Sequence, residues 1–371
     1  MSEKVNLITE QLGALVSCES PSSSVDAAGR VVELASNIGE WWLGSPAKVV
    51  RCGGRPHLTW SFGPAPRVLL LGHLDTVWPL GTIDRWPYNV SGDRATGPGV
   101  FDMKAGVIEL FVALGGLNDP EHVEVLLTTD EEIGSPTSRP LIEDAARKVT
   151  AVLVLEPSAD GALKLERKGI SMYEFVIGGR AAHAGLQPEL GVNSVVEAAH
   201  LILAAISQCR WDLGTTVTPT VVSGGTTINT VPMSTTLSVD VRAKTKSEQE
   251  RVDRYFRGRT PVVCGAEVTL EGGINRPPLE LAQSARLFDL AEEIAGTCGI
   301  TELCGAAVGG GSDGNLTAGL GLETLDGLGA VGDHAHAEGE WASIGAIEER
   351  AQLVAGLVER IRHSPQRLGH R

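Results

Sequence analysis

The 371-residue chain carries 31 Lys and Arg against 46 Asp and Glu, a formal net charge of −15. No long basic run offsets that excess, so neither nucleic acid nor an anionic membrane surface is expected as a partner. The length suits about two domains. Residues 1–24 hold no basic segment followed by an apolar core, and no run of about 18 apolar residues occurs, so neither a signal peptide nor a membrane span is expected. Six scattered cysteines without a C-x-x-C pair read as free thiols, and the cytoplasm is the expected compartment.

An amphipathic helical pattern over residues 4–17 is broken at Ser20-Pro21, and a second helix is predicted over 27–43, ending near Gly44-Ser-Pro46. Short strands over 49–52 and 57–62 precede Val68-Leu-Leu-Leu-Gly-His-Leu-Asp-Thr-Val77, an unbroken apolar run suited to a strand buried on both faces of a parallel sheet. That run ends in His73 and Asp75, and ligands of open α/β sheets bind beyond the carboxyl ends of strands. The two residues point to one side on extended backbone, so Asp75 can hold one imidazole nitrogen while the other faces a metal. A structural histidine is the plain alternative. Residues 78–101 read as a long functional loop. A helix over 103–114 follows, with Asp102 at its start as either an N-cap or a ligand. A strand over 123–129 runs into Asp130, Glu131 and Glu132, three adjacent carboxylates that need a cation or open water. Another over 151–155 delivers Glu156-Pro157. Three buried strands thus each end in metal-competent residues, always at the carboxyl end.

From about Lys168 the texture changes. Strands over 170–177, 216–222, 235–243 and 267–271 alternate with helices over 193–209 and 247–257, and His183 sits in the loop 178–185. The order βαββαβ is the ferredoxin-like layout. Residues 168–278 therefore read as an α+β domain inserted into an α/β catalytic domain made of 1–167 and 279–371. The return segment is predicted to hold a helix over 284–298, the loop Gly309-Gly-Gly-Ser-Asp-Gly-Asn315, a short connection 322–328, a segment with His334, His336 and Glu340, and a helix over 344–361.

His73, Asp102, Glu132, Glu156 and one of His334 and His336 form a mixed nitrogen and oxygen set suited to zinc and acceptable to cobalt or manganese. The set is too large for one catalytic zinc and fits two ions roughly 3.5–4 Å apart sharing a carboxylate. Three carboxylates and a hydroxide nearly neutralise two divalent ions, so an anionic substrate tail needs a cation of its own. Glu131, left over beside Glu132, suits a general base.

His73-Leu-Asp75, Gly97-Pro-Gly-Val-Phe-Asp102-Met-Lys, Asp130-Glu-Glu132, Glu156-Pro and His336, in that order over nearly the whole chain, resemble the co-catalytic dizinc family of aminoacylases and carboxypeptidases. Gly-Pro-Gly before Asp102, Ser312-Asp-Gly-Asn315 and Leu325-Asp-Gly-Leu-Gly329 resemble its bacterial glutamate carboxypeptidases. The resemblance implies a mixed-sheet zinc-peptidase domain, with the inserted domain acting as lid and homodimer contact. It implies one zinc on His73 and Glu156, a second on Glu132 and His336, and Asp102 bridging. Asp75 would orient His73, Glu131 would be the base, and the peptide after Asp102 would be cis. His183 of the partner subunit would hold the tetrahedral oxyanion, Asn229 and Arg242 would grip the substrate carboxylate, and Gly310 would let backbone approach it. Without the resemblance, Arg242 reads equally as a surface strand charge and His183 as a cap on local backbone. His336 is preferred over His334 because Glu340 and Trp341 follow it at the family's spacing. The implied reaction cleaves an amide next to a free carboxylate, releasing glutamate from N-acyl-glutamates or folate-like substrates. The alternatives are an N-acyl-amino-acid deacylase, of acetylornithine or succinyl-diaminopimelate type, and a non-catalytic metal-binding protein. The complete ligand set and base weigh against the last.

Overall fold

A computed structural model describes residues 3–363, and the chain divides into two compact units. The first draws on the described residues within Met1–Glu166, Leu279–Val308 and Ser312–Arg371; the second comprises Arg167–Pro278 and Gly309–Gly311. The strands are β1 (Lys48–Cys52), β2 (Arg55–Phe62), β3 (Val68–His73), β4 (Asn89–Ser91), β5 (Arg94–Thr96), β6 (Val123–Thr128), β7 (Ala151–Val154), β8 (Leu163–Arg167), β9 (Gly169–Gly178), β10 (Thr216–Gly224), β11 (Ser234–Ala243), β12 (Glu267–Arg276), β13 (Gly305–Val308), β14 (Glu323–Leu325), β15 (Gly332–Asp333) and β16 (Trp341–Ser343). The helices are α1 (Glu3–Ser17), α2 (Val25–Leu43), α3 (Thr82–Arg85), α4 (Ala105–Gly115), α5 (Arg139–Ala146), α6 (Ser194–Ile206), α7 (Lys246–Arg257), α8 (Leu281–Ala295), α9 (Gly314–Gly319) and α10 (Ile344–His363).

The first unit is built on a mixed sheet of order β1-β2-β6-β3-β7-β14. β6, β3, β7 and β14 run parallel, and β1 and β2 add an antiparallel edge. Successive side chains of a strand point to opposite faces. Leu70, Val125 and Leu153 accordingly join the core shared with α2, α4 and α10, while Leu69, Leu71, Leu126 and Val152 pack with Ile142 and Ala145 of α5. Burial on both faces is why β3 shows no polar alternation. At its start, α2 is capped by Ser24, whose side chain accepts the Ala27 N–H at 3.2 Å. It ends at Gly44, whose φ of 62° is the left-handed conformation glycine tolerates.

Several stretches differ from the sequence reading, Gly309–Gly311 among them, which falls in the second unit rather than the first. Residues 78–101 are not one loop: they contain α3 and the β4–β5 hairpin, and β5 pairs antiparallel with β16, about 245 residues on (Ala342 opposite Ala95). Strands of three residues are too short to show an alternation. The connection 322–328 holds β14, which extends the main sheet beside β7. The helix expected over 103–114 starts at Ala105, after a wide turn Val100–Lys104 in which Asp102 has φ −112° and ψ 96°. The Asp102–Met103 peptide is cis. Asp102 is therefore not the N-cap of α4.

The second unit is a four-stranded antiparallel sheet of order β10-β11-β9-β12. On one face, Tyr173, Phe175, Ile177, Leu237 and Val239 pack against Ala198 and Leu201 of α6 and Val252 and Phe256 of α7. On β9, Met172 and Glu174 alternate with these and are exposed. Asn193 caps α6, accepting the N–H groups of Val195 and Val196 at 3.0 and 3.1 Å. This is the ferredoxin-like βαββαβ arrangement. No helix among the described residues is long and apolar enough to cross a membrane, and all six cysteines are free thiols.

Candidate metal centre

β6, β3 and β7 are parallel neighbours, and their register sets His73 beside Thr128 and Leu71 beside Val154. The residues that follow each strand therefore emerge at one level on one edge. There the Nε2 of buried His73 lies 3.2 Å from Asp102 Oδ1 and 3.5 Å from Glu156 Oε1. The Nε2 of His336 lies 3.2 Å from Asp102 Oδ2 and 3.2 Å from Glu132. Asp102 thus presents one carboxylate oxygen to each imidazole, and each imidazole has a glutamate of its own. Donor atoms of His73, Asp102 and Glu132 lie within 4.8 Å of one another, as do those of His73, Glu131 and Glu156. His334 stays outside: it is exposed, with Nε2 3.7 Å from Asp333.

Asp75 is arranged differently from the expectation. The His73 Nδ1 is 3.0 Å from the main-chain carbonyl of Asp75 and 3.6 Å from its carboxylate. The carboxylate turns instead to the segment after β6, accepting the N–H groups of Glu131 and Glu132 at 3.2 Å each, and the Ser22 hydroxyl at 2.6 Å. One residue therefore fixes both the imidazole and the paired glutamates.

Glu340 is a functional residue that the sequence reading used only as a spacing mark. It is wholly buried. Its carboxylate accepts the N–H groups of Gly99, Phe101 and Asp102 at 2.9–3.0 Å and the Trp78 indole N–H at 2.9 Å. These four bonds hold the turn that aims Asp102. On the far side of the Glu131–Glu132 turn, buried Asp313 accepts hydrogen bonds from Ser135 and from Thr128, the latter at 3.3 Å. Asp130 accepts from the Thr137 N–H and hydroxyl at 2.7 and 2.6 Å. In the sequence these acids stand in Asp130-Glu-Glu132 and Ser312-Asp-Gly-Asn315, without a sign of their hydrogen-bond partners.

The electrostatics fit divalent cations. Burial pushes Glu132 up to about 7 against the pull of His336. Hydrogen bonds that His336 donates to the Asp102 and Glu132 carboxylates raise it to about 10. Burial opposes charge on His73, yet the Asp102 and Glu156 carboxylates raise it well above its ordinary value. Burial works against ionised Asp102, but the two imidazoles hold it below the usual carboxylate range. A carboxylate-rich pocket balanced by protons alone behaves in this way, and its nitrogen and oxygen donors suit zinc-like ions that can replace those protons.

The remaining expected site residues belong to the second unit. His183 is exposed and its Nδ1 accepts the N–H groups of Gly185 and Leu186 at 3.1 Å, so it caps its own loop. Asn229 is exposed, and its carbonyl accepts the Ala184 N–H at 2.9 Å. Arg242 is paired with Asp240 through Nε at 2.9 Å and Nη2 at 3.0 Å, which leaves its Nη1 edge for another anion. Gly310 has open space where a Cβ would stand, and its carbonyl accepts from Arg167 at 3.3 Å.

The sequence profile of peptidase family M20/M25/M40 matches residues 69–360. The chain belongs to that family. Carboxypeptidase G2 of Pseudomonas sp. (strain RS-16) is 33% identical over 306 residues, which cover 78% of this chain and 73% of that protein. The succinyl-diaminopimelate desuccinylase of Wolinella succinogenes is 25% identical over 315 residues, 79% of this chain and 85% of that one. The M20 family metallo-carboxypeptidase Sso-CP2 of Sulfolobus solfataricus shares the fold, with a TM-score of 0.72 at 17% identity over 97% of this chain and 99% of that one. This member of the M20 family is a metallohydrolase on an α/β peptidase fold.

Proposed function

We propose that this chain is a dizinc amidohydrolase that cleaves the amide next to a free carboxylate, releasing glutamate from N-acyl-glutamates and folate-like substrates. The observation that carries the metal half is the Asp102 carboxylate, 3.2 Å from His73 through one oxygen and 3.2 Å from His336 through the other. His73 and Glu156 would hold one ion, Glu132 and His336 the other, and Asp102 both; cobalt or manganese suits the same donors. When bound, such ions polarise a carbonyl and bring the pKa of water towards neutral. Glu131 takes the proton from the attacking water and returns it to the leaving nitrogen. Its main chain is tethered to Asp75, and its carboxylate lies within 4.8 Å of the His73 and Glu156 donors.

The substrate half is supported by the higher identity to carboxypeptidase G2, 33% against 25% for the desuccinylase. In this reading Arg242 takes the substrate carboxylate on its Nη1 edge with Asn229 beside it, His183 of the partner subunit holds the oxyanion, and Gly310 admits backbone to the substrate. The protein acts as a cytoplasmic homodimer joined through the second unit, where Leu203 and Ile206 of α6 and Val221 and Val222 of β10 are exposed apolar residues. Light scattering after size exclusion tests the assembly, and a monomer at micromolar concentration would refute it.

Deacylation of a basic N-acyl-amino acid is the second reading. Glu174, Asp240 and Glu271 line a cavity of about 600 Å³ on the exposed sheet face of the second unit, and an acidic lining suits a cationic side chain. Zinc-loaded enzyme offered an aroyl-glutamate, N-acetyl-ornithine and N-succinyl-diaminopimelate separates the two. Preferred release of glutamate is expected; hydrolysis of only the basic substrates would move the protein to the deacylases.

A further inference from the structure

Arg55 lies on β2 beside the turn that carries Glu131 and Glu132, and it is buried. The ladder between β2 and β6 begins with Leu58 opposite Leu127. Continuing that antiparallel count sets Pro56 opposite Thr129, and a proline has no N–H for a ladder bond. The Thr129 carbonyl accepts Arg55 Nη1 instead, at 2.8 Å, and the Thr129 hydroxyl donates to the Pro56 carbonyl at 2.8 Å. The other arm of the guanidinium, Nη2, donates to the Ser22 carbonyl at 2.6 Å. Ser22 gives its hydroxyl to the Asp75 carboxylate at 2.6 Å, and that carboxylate accepts the N–H groups of Glu131 and Glu132 at 3.2 Å each. The path closes on itself along the main chain, from Glu131 back through Asp130 to Thr129. Two residues on, His57 points to the same side of β2, and its Nε2 lies 3.2 Å from the Thr137 hydroxyl, which donates to Asp130 at 2.6 Å. A buried charge is costly, and an apolar side chain would fill the same space for packing alone.

We propose that Arg55 is a positioning residue of the reaction: its guanidinium fixes the end of β6 against the Ser22–Asp75 pair, and so sets Glu131 and Glu132 at the metal centre. This rests on the reading of Glu131 as base and Glu132 as metal ligand. Arginine suits the task because its planar fork reaches two separate acceptors at once, whereas a lysine ammonium is a point charge on a flexible stem. Both of its hydrogen bonds go to main-chain carbonyls, so its influence passes through Ser22, Asp75 and the glutamates rather than through contact with substrate. A change remote from the chemistry that misplaces a reacting group by about 1 Å can cost about a hundredfold in rate. The clamp does not depend on which amide the enzyme cleaves.

Steady-state hydrolysis of the best of the three amide substrates, at saturating zinc, tests this on Arg55→Met, Arg55→Lys, Glu131→Ala and the Arg55→Met, Glu131→Ala double variant. Zinc affinity is measured on each by competition with a chelator. Arg55→Met should lower kcat about tenfold or more with KM within about threefold, and zinc affinity should fall about tenfold. Arg55→Lys should lie between it and wild type, because one ammonium replaces the fork. Where Glu131 is already alanine, Arg55→Met should cost less than about threefold in kcat, since residues that act as a unit are not additive. A kcat and a zinc affinity of Arg55→Met equal to wild type would overturn the proposal. So would an equal fall in kcat with and without Glu131, which would show a general loosening of the protein. Should Glu131→Ala keep the wild-type kcat, the base assignment fails by itself, and the zinc affinity of Arg55→Met then decides the clamp through Glu132. If circular dichroism finds Arg55→Met unfolded, Arg55→Lys takes its place, and wild-type kcat and zinc affinity in that variant overturn the proposal.

Discussion

Glu131 and Glu132 are adjacent, both tethered through their N–H groups to Asp75, yet only Glu132 meets His336. The two glutamates therefore separate by function in a simple experiment. Glu131→Ala should lower kcat by roughly a hundredfold or more, the range of a lost general base, while mass spectrometry still finds two metal ions per chain. Loss of one ion would make Glu131 a ligand instead. The histidine pair is decided by the same measurement: His336→Ala should lose metal and His334→Ala should keep it, because only His336 reaches the shared carboxylate. The sequence prefers His336 through the resemblance, because Glu340 and Trp341 follow it at the family's spacing. What spacing did not convey is that the main chain of Asp75, rather than its carboxylate, receives the His73 ring.

Elements bring together what no local window contains. Glu340 sits just before β16, and β16 pairs with β5, which sets a buried carboxylate against the N–H groups of the Gly99–Asp102 turn some 240 residues away. Replacing Glu340 by Ala removes four acceptor contacts at once. A loss of about 2–4 kcal/mol in urea unfolding is expected, with metal affinity reduced about 10–100-fold as for other supports of ligand orientation. Unchanged affinity would mean the turn holds itself. Glu109 of α4 poses a different question. It is wholly buried, neither carboxylate oxygen has a hydrogen-bond partner among the described residues, and burial raises it well above an ordinary glutamate although Arg350 of α10 pulls the other way. Folded Glu109 thus keeps its proton where the unfolded chain has lost it. Its contribution to stability is greatest below the ordinary glutamate pKa near 4.3 and falls as pH rises above it. Glu109→Gln should flatten that decline in a series of melting temperatures from pH 5 to pH 8, and an unaltered slope would show that other groups cause it.

At the scale of the molecule, all five expected metal ligands lie in the first unit, and the second has its own apolar core. Calorimetry should therefore resolve a transition that chelation lowers and a second that it leaves in place. Saturating zinc should add about 4 kcal/mol to the first at a thousandfold excess over its dissociation constant, and a uniform shift of both transitions would contradict this. The sequence by itself determined which polar residues follow the buried strands, because a strand buried on both faces admits polar residues only at its ends. It also determined the βαββαβ insertion, because long half-buried strands and amphipathic helices carry their period over many residues. Only the tertiary structure decided the order β6-β3-β7 that aligns those ends, the β5–β16 pairing and the cradle of Glu340 around Asp102. Each depends on contacts between residues far apart in the chain, and such contacts leave no period in the sequence.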